Sequence, residues 1–335
     1  MTPETSPSTR SVAPALRSLL AGIIDYAGLF PPAGLPLDEA LAAYARHLRE
    51  REAWMLARFV LPAARLGALP EHAGMIADVV DQGAPFRLSV LGTGGEDTRA
   101  FEKSLAADLR EIDGLRARLS VAVEVMEVRL PPVLLSEPRA ARLRPLLDAT
   151  AARIADSGLP RLDVFFEIPL VPAPPPVLPA LAAALADFQD ATRTFAGGLK
   201  MRTGGLEATA FPSADAVAAV IATCRDHRVR FKATAGLHHP VRRFHGSVQT
   251  HMHGFLNVFG AAVLAHAHGL HAEALRAILL DEDPSGFRLD DDHFAWRDLS
   301  ASAEDVRRAR TDLAVSFGSC SFDEPREDLV AMGWL

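Results

Sequence analysis

GLKMRTGGLEATAFPSADAVAAVIATCRDHRVRFKATAGL, residues 198–237, holds two short apolar runs separated by an alanine-rich amphipathic stretch. AGGLKMR (196–202) and VRFKATA (229–235) have the length and composition of buried strands, and 213–226 those of a helix. Strand, helix and strand in that order make one βαβ unit. Each run carries a lysine near its end, Lys200 and Lys232, and each opens a glycine-containing turn. A desolvated ammonium is costly unless it is paired or used. Two of them one unit apart imply a site with a positive floor. There, like-charge repulsion lowers a lysine pKa, and a neutral amine attacks a carbonyl. The competing reading keeps both lysines as ion-paired structural residues at strand ends.

The same alternation extends in both directions. Upstream, LLAGIIDYA (19–27), MLARFVLP (55–62), FRLSVLG (86–92), LSVAVEVMEV (119–128) and LDVFFEIPL (162–170) read as strands one to five. Helical patterns lie between them near 37–51, 69–82, 97–116, 138–157 and 175–192, and VPAPPPVLP (171–179) is a stiff loop. No second compositional regime interrupts the series. The expected fold is therefore α/β, a single (β/α)8 TIM barrel with an extended segment between strands seven and eight. LNVFG (256–260) and LAVSFGSCSF (313–322) compete for the eighth strand. The apolar run around the first is long enough to favour a helix. The second follows a charged helical stretch, SAEDVRRARTDL, in proper order and is preferred. The extension then covers about 240–312, with helices near 254–267 and 271–280 and a hairpin-like FRLDDDHFAWRD.

The 335 residues, 49% hydrophobic with mean hydropathy +0.12, suffice for one large core. A formal net charge of −7 and pI near 5.9, with scattered lysine and arginine, give no sign of a nucleic-acid surface. Cys224 and Cys320 are too few for a disulfide framework or structural zinc, so a cytoplasmic location is expected. Residues 1–16 are polar and proline-containing, a disordered lead-in before a domain over 17–335 and not a signal peptide. The longest apolar stretch, 254–267, is too short to span a bilayer.

In such a barrel the chemistry sits at the C-terminal strand ends. These carry Asp25, Arg58, Glu124 or Glu127, Glu167, Lys200, Arg202, Lys232, Thr234, Ser319 and Ser321. Period-two alternation puts Lys200 with Arg202 on one face, and Lys232 with Thr234. So many charges are there to pair, or to bind and react. Asp25 with Arg58 also reads as a salt bridge capping the barrel. The turns RTGG (202–205), TAGLHHP (234–240) and GSCS (318–321) leave backbone N–H groups suited to phosphate or carboxylate oxygens. Both serine hydroxyls of the last turn are expected near the mouth. His238 and His239 follow the seventh strand, with His245, His251 and His253 shortly after. Three uses stay open for them: acid–base or substrate contact, metal ligation, or solvated loop positions. No HExxH spacing supports the metal.

The stretch 198–237 resembles the deoxyribose-phosphate aldolase family of class I aldolases. The resemblance implies a Schiff-base lysine in a K-x-x-T-G turn on strand six, here Lys200, Thr203 and Gly204. It implies a second lysine on strand seven, Lys232, with Gly236 matching one glycine of the family's pair, and an acid on strand four, for which Glu124 is the nearest match. FGSCS (317–321) corresponds to the family's strand-eight phosphate motif. Arg202 stands where the family has a small residue and Ala235 where it has a glycine, and IDYAGLFPPA and the HHP segment have no counterpart.

The leading expectation is a carbon–carbon lyase that needs no cofactor. Lys200 forms the imine, Lys232 lowers its pKa, and Glu124 or Glu167 shuttles protons. Arg202, Thr203, Gly204, Thr234, Gly236, His238, Ser319, Ser321, Asp25 and Arg58 bind a small anionic substrate. One alternative is a lyase, isomerase or hydrolase using a divalent metal ion held by His238, His239 and His253, with Glu167. A non-catalytic barrel binding a small acid is the third reading. A homo-oligomer is compatible with all three.

Overall fold

Eight strands close into a parallel barrel in the computed structural model, which describes residues 12–136, 140–159, 162–191 and 196–335. They are β1 (Ile24–Tyr26), β2 (Leu56–Pro62), β3 (Phe86–Leu91), β4 (Val121–Arg129), β5 (Asp163–Ile168), β6 (Gly197–Arg202), β7 (Arg230–Thr234) and β8 (Ala314–Ser319). β8 pairs with both β7 and β1, so the later candidate closes the barrel. The fold is an α/β TIM barrel, as the alternation predicted. Strands buried on both faces need continuous apolar runs, and β5 and β6 supply them with Phe165, Phe166, Leu199 and Met201.

LNVFG lies inside a helix, Phe255–His268, whose residues 255–265 are all buried. Fourteen apolar-rich residues between Gly254 and Gly269 exceed a strand's length. Gly269 ends the helix at φ +65°, a left-handed conformation that glycine adopts without a Cβ clash. Around this helix the extension adds a hairpin (Arg243–His245 with Thr250–Met252), a second helix (Ala272–Leu280) and a three-stranded antiparallel sheet spanning Phe287–Ser302.

Several boundaries differ from the sequence reading. The first strand is short, because Pro14–Leu20 is a helix with proline in its first turn, the position where a missing N–H costs nothing. Ala15 and Leu16 are buried in that helix, so the polar lead-in ends before residue 16; residues 1–11 lie outside the described ones. β4 runs one residue further than expected, to Arg129.

The βα units are set by local chemistry. In the helix Ala214–Asp226 the Ser213 hydroxyl accepts from the Ala216 N–H, with Asp215 in the first turn and Arg225 in the last. Gly198 in β6 makes room for the barrel interior. A Cβ there would come 2.5 Å from the Phe165 ring and 2.8 Å from the Arg230 carbonyl oxygen. Trp334 packs half-buried against the main core.

Candidate active site

Strand register fixes the site before any side chain is considered. Arg129 pairs with Glu167, Glu167 with Lys200, and Lys200 with Lys232, so four charged residues form one row across β4, β5, β6 and β7. Glu127, two residues before Arg129, shares the face of that strand and reaches into the row. The result is an alternating chain of charges. Lys200 Nζ lies 2.7 Å from Glu127 Oε2 and 2.8 Å from Glu167 Oε2. Lys232 Nζ lies 2.7 Å from Asp25 Oδ2 and also contacts Glu127 Oε1. Ser89 Oγ donates to Glu127 Oε1 (2.6 Å) and Ser316 Oγ to Asp25 Oδ2 (2.6 Å). Asp25, Lys232, Glu127, Lys200 and Glu167 therefore run acid, base, acid, base, acid.

Lys200 is 4% and Lys232 1% exposed. A cavity of about 430 Å³ opens onto the chain, and Lys200, Glu127 and Glu167 line it. Its rim holds Arg129, Arg202, Thr234, Gly236 and His238, with Phe30, Pro31 and Pro32 of the loop after β1 forming an apolar side.

Burial pulls the Lys200 pKa down, but Glu127 and Glu167 outweigh it and hold the lysine above its ordinary value. Burial likewise pushes Glu127 up, yet Lys200 and Lys232 overcome it and hold the carboxyl far below the usual range. The expected depression of Lys200 by Lys232 is thus overturned. Glu127 stands between the two ammonium groups and converts repulsion into attraction, leaving Lys200 protonated at rest.

Several expected residues are elsewhere. Glu124 is not brought to the lysines. It sits where pairing with β3 shifts (Leu88 with Val123, then Ser89 with Val125), and it pairs with Arg58 Nε (2.9 Å) and Arg87 Nε (3.4 Å). Glu127 is the strand-four acid at the site. Arg58 also pairs with Asp25 at 3.3 Å, the capping salt bridge weighed from the sequence, and Asp25 is fully buried. Neither residue is positioned as a substrate ligand.

The turns behave similarly. Thr203 Oγ1 donates to the carbonyls of Thr234 (3.1 Å) and Ala235 (2.6 Å), stapling the β6 turn to the β7 turn. Ala235 and Gly236 there have φ +62° and +74°. This left-handed conformation costs a non-glycine residue about 1–2 kcal/mol, and the staple holds it. Gly204 packs against Gly236 inside this junction, where a Cβ would lie 2.9 Å from the Gly236 Cα. Thr203 and Gly204 are thus scaffold, while Arg202, Thr234 and Gly236 line the cavity.

The two serines do not offer their hydroxyls to the mouth. Ser319 Oγ donates to the Ser321 carbonyl (2.6 Å), and Ser321 Oγ accepts from the Glu324 N–H (3.1 Å). Gly318 and Cys320 line the cavity in their place.

The proposed histidine metal set is not assembled. His238 Nδ1 bonds Glu324 (2.8 Å), and His239 is shared between Asp328 (2.7 Å) and Arg243 (3.0 Å). His253 Nε2 donates to the Pro212 carbonyl (2.8 Å), and burial lowers its pKa to about 4. Among the described residues, three candidate ligand atoms converge only at His47, Glu50 and Asp323. Arg326 already pairs with both carboxylates there.

Arg129 and Ser89 were missed by the sequence reading. Arg129 lay one residue beyond the expected end of β4. Its period-two spacing from Glu127 was the available signal.

Comparison with known proteins adds little beyond the architecture. No family profile and no curated protein matches the chain. The structure is similar to the tetrameric deoxyribose phosphate aldolase from Aeropyrum pernix, with 13% identity and TM-score 0.42, covering 70% of this chain and 88% of that one. It is also similar to the CcCel6A catalytic domain complexed with p-nitrophenyl β-D-cellotrioside, with 11% identity and TM-score 0.34, covering 64% and 72%. At these values neither likeness carries an argument about activity. Among the described residues, no helix is long and apolar enough to cross a membrane.

Proposed function

We propose that the barrel is a lyase of the aldolase type, forming an imine between Lys200 and a small carbonyl substrate. The observation that carries this reading is Lys200 itself, an almost completely buried lysine that lines the cavity with one carboxylate on either side. A structural ion pair has no need of a cavity, and a lysine that only binds anions has no need of two carboxylates.

The raised pKa of Lys200 is compatible with imine chemistry. An ammonium that becomes a protonated imine keeps its positive charge, so the ion pair with Glu127 persists through the step. Only a temporary proton acceptor is required. Glu127 is committed to two ammonium groups, whereas Glu167 touches Lys200 alone of the two lysines and faces the cavity. Glu167 is therefore assigned the proton transfer. Lys232 and Asp25 hold Glu127 in place as positioning residues. Once formed, the protonated imine draws electrons from the neighbouring carbon–carbon bond, which is the electronic requirement for aldol cleavage.

Borohydride reduction in the presence of a panel of small aldehydes and keto acids, followed by peptide mass spectrometry, tests the scheme. A covalent adduct on Lys200 is expected, with none in Lys200→Met. Retained lyase activity in that variant would sink the proposal.

A further inference from the structure

We infer that the substrate held in this cavity is a short 2-oxo monocarboxylate, with its carboxylate on Arg129 and Arg202 and its ketone carbon at Lys200. The inference rests on the imine reading of Lys200 and names the substrate class for it.

Charge balance comes first. The cavity is lined by three cations, Lys200, Arg129 and Arg202, and two carboxylates, Glu127 and Glu167. His238 is bonded to Glu324, so that pair adds no net positive charge. One excess positive charge is neutralised by a monoanion, whereas a phosphate dianion leaves the lining with a net negative charge.

Placement agrees. The β8 turn is where the sequence led one to expect a bound phosphate. The Ser319 hydroxyl donates within the turn, and the Ser321 oxygen takes up the Glu324 N–H at the start of the following helix, Asp323–Ala331, so that N–H is not available to a phosphate. The cations lie at the ends of β4 and β6. Among the described residues, the one hydrogen bond of the Arg202 side chain is Nε to the Gly204 carbonyl (3.2 Å). Its terminal nitrogens are free for a carboxylate. Arg129 Nε is held only loosely, 3.7 Å from Glu167.

Glu167 also fixes where the carboxylate sits relative to the ketone. Its two oxygens face Lys200 Nζ (2.8 Å) and Arg129 Nε (3.7 Å), so one carboxylate lies between the two cations. A substrate with its carboxylate on Arg129 and its ketone at Lys200 spans one side chain's neighbourhood, and a 2-oxo acid is the shortest ketone that carries both groups. The cavity volume, about 430 Å³, is near the lower end of small-molecule sites and suits a short chain.

The covalent step balances within the site. The Lys200 nitrogen bonds to C2 and the C2–O bond breaks. Two of the three ammonium protons leave with the oxygen as water, relayed through Glu167, and the third remains on the iminium. The net charge does not change.

The test compares borohydride trapping of the full-length protein with pyruvate, propanal and glyceraldehyde 3-phosphate, the adduct being quantified at Lys200. Pyruvate is expected to trap most efficiently at low concentration. Arg129→Gln and Arg202→Gln should each lower the pyruvate-to-propanal trapping ratio by about tenfold or more, the worth of a charge-assisted hydrogen bond. Circular dichroism and melting curves confirm that each variant is folded, and the ratio within one variant cancels any loss of folded protein. Propanal trapping as well as pyruvate, or glyceraldehyde 3-phosphate trapping better, would overturn the monocarboxylate assignment while leaving the imine at Lys200 intact. Absence of any adduct at Lys200 with all three would remove the imine reading and this inference with it.

Discussion

At Glu127 a single buried carboxylate balances two buried ammonium groups, and its removal should be felt more strongly than that of any surface charge. Glu127→Gln leaves Lys200 with Glu167 and Lys232 with Asp25, each short of one partner. Breaking a buried pair in this way costs about 3–5 kcal/mol. Urea unfolding should show that loss; a change below about 1 kcal/mol would mean that the side chains rearrange to share the remaining acids. The pH dependence has a definite sign. Glu127 is held below its unfolded value, so its stabilisation is present above about pH 4 and is lost as pH falls through the folded value. Lys200 is held above its unfolded value, so its stabilisation is present below about pH 10 and is lost as pH rises through the folded value. Melting temperature against pH should therefore show a plateau between those limits. The gap between wild type and Glu127→Gln should narrow on the acid side, and a constant gap down to acid pH would contradict the assignment. Glu124 and Glu127 both sit in one apolar strand, and spacing alone left them as rivals. The register shift between β3 and β4 separates them, and nothing local in the sequence marks that shift.

Among the elements, β6 joins core packing to the site most directly. Gly197–Arg202 places Gly198 under the Phe165 ring and Lys200 in the cavity, two residues apart on one face. Gly198→Ala should destabilise the barrel by about 1–3 kcal/mol, because overpacking against a ring and a backbone carbonyl has no easy relief. The same variant should slow trapping at Lys200 by displacing its strand. An unchanged denaturation midpoint would show that Phe165 moves aside freely. The helix Phe255–His268 was legible from length alone, since fourteen residues of continuous apolar character fit no barrel strand. The N-terminal helix was not. Its leucines run into the apolar residues of β1 without a polar break, and periodicity cannot divide so short a run.

For the whole molecule, closure depends on the chain's last quarter meeting its first strand. β8 pairs with β1 through Phe317 and Ile24, and Ser316 holds Asp25 at 2.6 Å. Deleting residues 316–335 should abolish soluble expression, since it leaves the edges of β1 and β7 unpaired and removes a partner of the buried Asp25. A soluble, monodisperse truncation would show that the remaining seven strands close without β8. The sequence by itself determined the barrel, the order of its strands and the placing of two lysines on neighbouring strands β6 and β7. Strand and helix periods are local properties, and a buried lysine is conspicuous against an apolar run. Only the tertiary structure decided which acids those lysines meet, that the Ser319 hydroxyl bonds within its own turn, and that His238, His239 and His253 bond acids and a carbonyl. Those outcomes depend on register between strands far apart in sequence, where a shift of one residue exchanges one carboxylate for another.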